Sequence, residues 1–333
     1  MKNVYFVLLL GIMVACNSQS NWLSDIPESD IDMASAIEWI DLPENMLLNP
    51  SQMLAIDDYI IIANDASTDV LMAYNMITGH DFTLLRRGRA ENEVLSVNQL
   101  LNVDGNLGVV DVIGQKVLLI DLDTMQLLDS FEVGDFTAIY IQSDYMVGTL
   151  ASKLARYAVR KCHSNEYSLT FGDYDEYNVT DEVGWRNFQG HLLANGEKIA
   201  WFGYYCGAMQ IVNYTDGTTI TSTHFEDFEH DDVMTEQMSL DRKINFISIT
   251  ANQEIIYTLY DGKDLNYYVE HRGARPCGNT ICVFDWMGTA KSKIVYDNPI
   301  YNISYNKSDN YLYLCVMFSQ LSEYKVARIK IEE

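Results

Sequence analysis

The sequence predicts an all-β fold, a six-bladed β-propeller with four-stranded antiparallel blades, on three observations. Short turns of Asp, Asn, Gly and Ser interrupt apolar strands at Asp57-Asp58, Asp104-Gly105-Asn106, Ser143-Asp144, Asn195-Gly196, Ala251-Asn252 and Ser308-Asp309-Asn310. Taking Asp58, Gly105, Asp144, Asn195, Asn252 and Asp309 as markers, the spacings are 47, 39, 51, 57 and 57 residues, a length that suits four short strands and their turns. The last unit is one strand short, and a spare strand stands ahead of the first. A pair of stacked β-sandwiches is the competing architecture, but it needs no fixed period and leaves both spare ends unexplained.

The chain begins with a basic residue, Lys2, then an apolar run from Val4 to Ala15 broken only by Gly11, and turns polar at Asn17. That is the pattern of a secretory signal, and the run is too short for a membrane span, which takes about 20 residues. Met13-Val14-Ala15-Cys16 resembles the lipobox of bacterial lipoproteins, with Met13 where leucine is usual. The resemblance implies removal of residues 1–15, a diacylglyceryl group on Cys16 and anchoring in a membrane by buried acyl chains. Residues 16–35, rich in Ser, Asn and Asp, read as a flexible tether, and 36–333 as the propeller.

Each unit repeats one plan. After the first hairpin come third strands at 70–79, 117–125, 209–217 and 281–288, and fourth strands such as Phe82-Thr83-Leu84-Leu85. The final unit has strands at 300–305, 311–317 and 323–331, and its fourth is expected from Ala36 to Ile40, which would remove two exposed sheet edges. Trp39, Trp201 and Trp286 are read as packing residues.

Composition agrees: 48% hydrophobic residues exclude disorder, and 22 Tyr with 5 Pro favour pleated strands. A net charge of −25 would repel a polyanion, so nucleic acid is not an expected partner. With Cys16 assigned to lipid, Cys162, Cys206, Cys277, Cys282 and Cys315 are left. Their odd number requires at least one thiol that is free or paired between molecules, and Cys277 and Cys282 are close enough in sequence to close a small disulfide loop in an oxidising compartment. No second ligand pair with zinc spacing exists.

The lipobox, the six units and the loop Arg86-Arg87-Gly88-Arg89-Ala90-Glu91-Asn92-Glu93 together resemble the TolB-like six-bladed propeller lipoproteins of Bacteroidetes. In that family a Gly-Arg-Gly-Pro-Gly-Glu type of loop joins the first blade to the second. Gly88 and Arg89 match it and an acidic residue follows at Glu91 or Glu93, while the Pro-Gly is absent. The resemblance implies an outer-membrane lipoprotein of the cell envelope and no settled activity. Surface-bound lipoproteins of that group carry acidic residues just after the cysteine; none lies in Asn17–Trp22, which points to the periplasm, with surface exposure the other reading.

In a four-stranded meander the six tight turns share one face of the ring, here the short-turn face. The long connections at 86–97, 173–190 and 225–239 and the insertion 261–279 share the opposite, long-loop face. These loops carry Arg86, Arg87 and Arg89; Tyr174, Tyr177, Trp185 and Arg186; and Tyr267, Tyr268, His271, Arg272 and Arg275. Guanidinium groups grip carboxylates and aromatic rings stack on sugars or side chains, so a peptide, protein or glycan is the expected ligand class. The competing reading pairs these arginines with neighbouring acids.

The run His224–Asp232 gathers metal-ligand types without calcium-loop spacing and reads as a solvated acidic loop. No Gly-x-Ser-x-Gly elbow or phosphate loop occurs. No metal or other cofactor is therefore expected, and the leading expectation is a non-catalytic binding module. The alternative is a metal-dependent hydrolase or lyase with carboxylates in the central funnel.

Overall fold

The structure, a computed structural model, describes residues 22–152, 155–172, 188–226, 240–272, 274–318 and 323–331. Antiparallel sheets follow one another along the chain, each built from its innermost strand outward. Blade 1 is Pro50–Ile56, Tyr59–Asn64, Leu71–Asn75 and His80–Arg87. Blade 2 is Gln99–Val103, Asn106–Asp111, Lys116–Asp121 and Gln126–Glu132. Phe136–Gln142, Tyr145–Leu150, Tyr157–Lys161 and Tyr167–Phe171 form blade 3. Gly190–Asn195, Lys198–Gly203, Ala208–Asn213 and Thr219–His224 form blade 4.

The last two blades share a strand. Ala290–Asn306 runs as the outermost strand of blade 5 beside Gly278–Asp285, then as the innermost strand of blade 6 beside Tyr311–Phe318. Blade 5 opens with Phe246–Ala251 and Ile255–Tyr260, and blade 6 continues into Glu323–Lys330. Glu38–Ile40 adds the fourth strand of blade 6, antiparallel to Glu323–Lys330, with Trp39 opposite Ala327.

Five of the six turns between first and second strands use left-handed backbone, which explains their residue types; the blade 5 turn is held instead by the Asn252 side chain, which accepts from Glu254 N at 2.9 Å and Ile255 N at 2.6 Å. Asp57, Asp104, Ser143 and Asn310 have φ of 46°, 51°, 54° and 60°, and glycine takes the strained place at 105 and 196.

Among the described residues six apolar clusters fill the structure, one in each seam between neighbouring blades. A sandwich would bury its strands between two sheets; here Ile61 and Leu107 meet across blades 1 and 2, and Met53 and Tyr313 across blades 1 and 6. The open inner edges are closed by side chains reaching from the next blade. The Gln99 amide donates to Ile139 O at 2.9 Å and accepts from Ile139 N at 3.1 Å. Ser248 Oγ accepts from Ile303 N at 3.1 Å, and Ser304 Oγ from Ala55 N at 2.9 Å. Each such bond satisfies backbone that a channel-facing edge would otherwise leave bare.

Three expectations need correction. Trp201 is fully buried and Trp286 nearly so, but Trp39 is 42% exposed, because the short closing strand is the outermost in its blade; its ring lies 5.3 Å from that of Phe318. Cys277 and Cys282 are both free thiols. They lie five residues apart on one extended run, about 16 Å, whereas a disulfide needs Cα atoms within about 7 Å. Cys282 points into the seam between blades 4 and 5, and Cys277 faces Lys263.

The third concerns the tether, which from Trp22 onward is docked. Ile26 is buried between blades 4 and 5, and Met33 between blades 5 and 6. Ser29 N donates to Lys293 O and Lys293 N to Pro27 O, both at 2.8 Å, so residues 27–29 pair with the outer edge of blade 5.

Candidate binding face

The long-loop face is organised by polar residues at the ends of second strands. Asp111, fully buried, accepts from Leu95 N at 2.6 Å, Ser96 Oγ at 2.8 Å and Gly114 N at 2.8 Å, fixing the connection into blade 2. Asn64 occupies the same place in blade 1 and accepts from Asn49 N at 2.9 Å. Asp261 follows the second strand of blade 5, beneath the insertion 261–277.

That insertion is built on its own contacts. Asp264 caps the helix Leu265–Glu270 by accepting from Tyr267 N at 2.8 Å. Asp261, its carboxylate out of solvent, pairs with Lys263 at 2.7 Å and accepts the Tyr268 hydroxyl. Burial raises the Asp261 pKa, while Lys263 and Tyr268 draw it back down. Lys263 also donates to Cys277 O at 2.7 Å, tying the two ends of the insertion.

From there Arg275 reaches past blade 6 to blade 1, donating to Pro50 O at 3.0 Å and to Asp65 Oδ2 at 3.2 Å. The same Asp65 offers its carbonyl to Arg87 Nη2 at 3.3 Å, and Arg87 Nη1 donates to Leu95 O at 2.7 Å. Asp65 is therefore where the loops of blades 1 and 5 meet, and the insertion forms a strap between them.

The loop at 88–93 closes on itself. Ala90 N donates to Glu93 Oε2 at 2.9 Å, and Lys116 holds Ala90 O and Glu91 O at 3.0 and 3.1 Å. A Cβ on Gly88 would lie 1.9 Å from Glu93 Oε2, so glycine leaves room for the carboxylate.

These contacts sort the residues singled out from sequence. Arg87 and Arg275 are engaged by backbone carbonyls, and the Tyr268 hydroxyl by Asp261. Arg86 pairs with Asp69 at 3.0 Å, in line with the competing reading. Arg89 and Arg272 are exposed, and Tyr267, 37% exposed, stacks on His271 at 4.2 Å. Tyr174, Tyr177, Trp185 and Arg186 lie outside the described residues, as does most of the acidic run, residues 227–232. Among the described residues no group of three or more His, Cys, Asp or Glu could hold a metal ion.

Sequence reasoning missed Asp65, Asp111 and Asp261, although each ends an apolar second strand with an acid, a signal that was legible. It also missed the Arg156 guanidinium, buried 3.8 Å over the Trp201 ring beside Phe188.

His191 sits on the innermost strand of blade 4, its ring edge toward Tyr204 at 6.2 Å and bonded to the backbone at Ile247. Burial lowers its pKa to about 4 despite that bond. The unfolded chain takes up a proton near pH 6.5 and the folded one only near 4, so stability is complete above 6.5 and falls as pH drops through that window. The loss is at most about 3 kcal/mol. Urea unfolding of the wild type against His191→Gln is expected to show this slope only in the wild type; parallel pH profiles would contradict it.

Residues 40–308 match the family model described as TolB-like 6-blade propeller-like. Among solved structures, a Bacteroides fragilis protein described as exported superposes with a TM-score of 0.59 at 10% identity, covering 92% of this chain and 98% of that one. U3-55K follows with a TM-score of 0.51 at 14% identity over 92% and 100%, and the RRP9 WD40 repeats with 0.50 at 13% over 92% and 99%. At these identities the likeness is one of fold. No curated protein matches the chain.

Proposed function

This chain belongs to the TolB-like six-bladed propeller family, and we propose that it acts as an envelope-anchored lipoprotein that holds a peptide, protein or glycan on its long-loop face without catalysing a reaction. The observation that carries this reading is the strap. Arg275 joins the blade 5 insertion to blade 1, so among the described residues the loops of blades 5 and 1 form a preformed platform rather than moving independently. Preformed sites bind without losing affinity to loop ordering.

Around the platform Arg89 and Arg272 present exposed guanidinium groups, suited to carboxylates, and the Tyr267–His271 stack presents a flat surface for a sugar ring or a side chain. The signal-like N-terminus and Cys16 support export and lipid anchoring at the outer membrane, facing the periplasm. No helix among the described residues is long and apolar enough to cross a membrane.

Arg89→Glu/Arg272→Glu leaves every hydrogen bond named above intact. It is expected to weaken capture of the native ligand from envelope extracts at least about tenfold, since each lost charge-assisted contact contributes about 1.5 kcal/mol or more. Capture equal to the wild type would exclude these arginines from the binding face.

A further inference from the structure

We infer that the long-loop end of the seam between blades 4 and 5 is held at the membrane surface, so that the ring is oriented on the lipid rather than free to tumble above it. The inference rests on the lipid-anchor reading and adds to it which surface the bilayer faces. It is carried by how the chain is fastened at Trp22. That residue opens the short helix Trp22–Asp25, and its ring lies 4.4 Å from Phe225, 5.2 Å from Tyr260 and 6.1 Å from Phe246.

Those three side chains share one end of the seam. Phe225 follows the last strand of blade 4, Phe246 opens the first strand of blade 5, and Tyr260 closes its second strand. By the order of the meander all three are at the long-loop end. Below them the chain is fastened again: Lys293 Nζ donates to Leu23 O at 2.9 Å, Ile26 is buried, and residues 27–29 pair with the edge of blade 5. Docking at three successive points fixes Trp22 to the body of the ring.

Only residues 17–21 separate Cys16 from Trp22. However they run, six Cα-to-Cα steps span no more than about 20 Å. A free tether of the full length 16–35 would span several times that and would allow any face to meet the bilayer. With Trp22 docked, the short-turn face lies a strand's length farther away, and the long-loop mouth of the seam is the part the lipid draws in.

The test uses the lipidated full-length protein, extracted from membranes and returned to phosphatidylethanolamine–phosphatidylglycerol vesicles that contain a headgroup-labelled acceptor lipid. A donor fluorophore replaces either Leu240, 49% exposed on the long-loop side of blade 5, or Met287, 57% exposed in its opposite turn. The two sites are about 20 Å apart along the ring axis, so transfer from position 240 is expected to exceed that from 287 by roughly twofold. Inserting about thirty Gly-Ser residues before Trp22 is expected to abolish the difference. Equal or reversed transfer in the lipidated protein, or a difference that survives the insertion, overturns this inference alone. Mass spectrometry showing no lipid on Cys16 overturns the anchor reading and this inference with it.

Discussion

Trp201→Ala is expected to cost about 3–5 kcal/mol of stability, the range for deleting a fully buried large aromatic from a core that does not collapse around the loss. Trp201 is 0% exposed in the seam between blades 3 and 4. Its neighbours are shaped to it. A Cβ on Gly190 would lie 2.6 Å from its Nε1 and 2.3 Å from Phe202 O, and one on Gly203 2.8 Å from its ring and 2.5 Å from Cys206, so both glycines leave room for the indole and for the backbone beside it. Alanine would also strip the face on which the buried Arg156 guanidinium lies, and a buried cation that loses its stacking surface adds to the cost. Guanidinium unfolding is expected to show a lower midpoint with an unchanged slope. Trp201→Phe, which keeps a ring under Arg156, should recover part of the loss. A cost below about 1 kcal/mol for alanine would mean that the seam is not packed as the structure has it.

Cys16→Ala is expected to move the protein from the membrane pellet to the soluble fraction almost completely. In the proposed lipoprotein two acyl chains, each burying about a dozen methylenes, would contribute on the order of 20 kcal/mol of transfer free energy, and the substitution would remove all of it. The docked segment from Trp22 to Ile26 does not depend on the lipid, so the released protein should keep its unfolding midpoint. Ultracentrifugation of salt-washed membranes reads the first outcome and denaturation the second. Continued pelleting of the Cys16→Ala protein, with mass spectrometry showing residues 1–15 removed, would show that Cys16 is not the anchor.

The blades were legible because in five of them the first turn has left-handed backbone that restricts it to Asp, Asn, Ser or Gly, as at Asp57, Asp104 and Gly196, while blade 5 uses the side chain of Asn252. A local rule repeated from blade to blade survives without any knowledge of tertiary contacts. The face that carries the long loops followed from the same count. What the arginines do there did not, because Arg275 finds its partners at Pro50 and Asp65, more than two hundred residues away in the chain.

The docking of the N-terminal segment is hidden in the sequence for a related reason. Residues 16–35 are polar on average, yet Trp22, Leu23 and Ile26 are enough to dock it once blades 4 and 5 supply an apolar seam. Cys277 and Cys282 look like a loop pair only until the strand between them is known to be extended. Trp39 was expected to be buried from its residue type, but its exposure is set by lying on the outermost strand of its blade.

In the proposed function the partner meets the long-loop face. In-cell photocrosslinking compares the faces directly, with a photoreactive side chain placed at Arg89 or Arg272 on the long-loop face, or at Ile77 or Met287 in exposed turns of the opposite face. The expected result is one discrete adduct from positions 89 and 272 and none from 77 and 287. Adducts confined to 77 and 287 would place the binding surface on the wrong side of the ring.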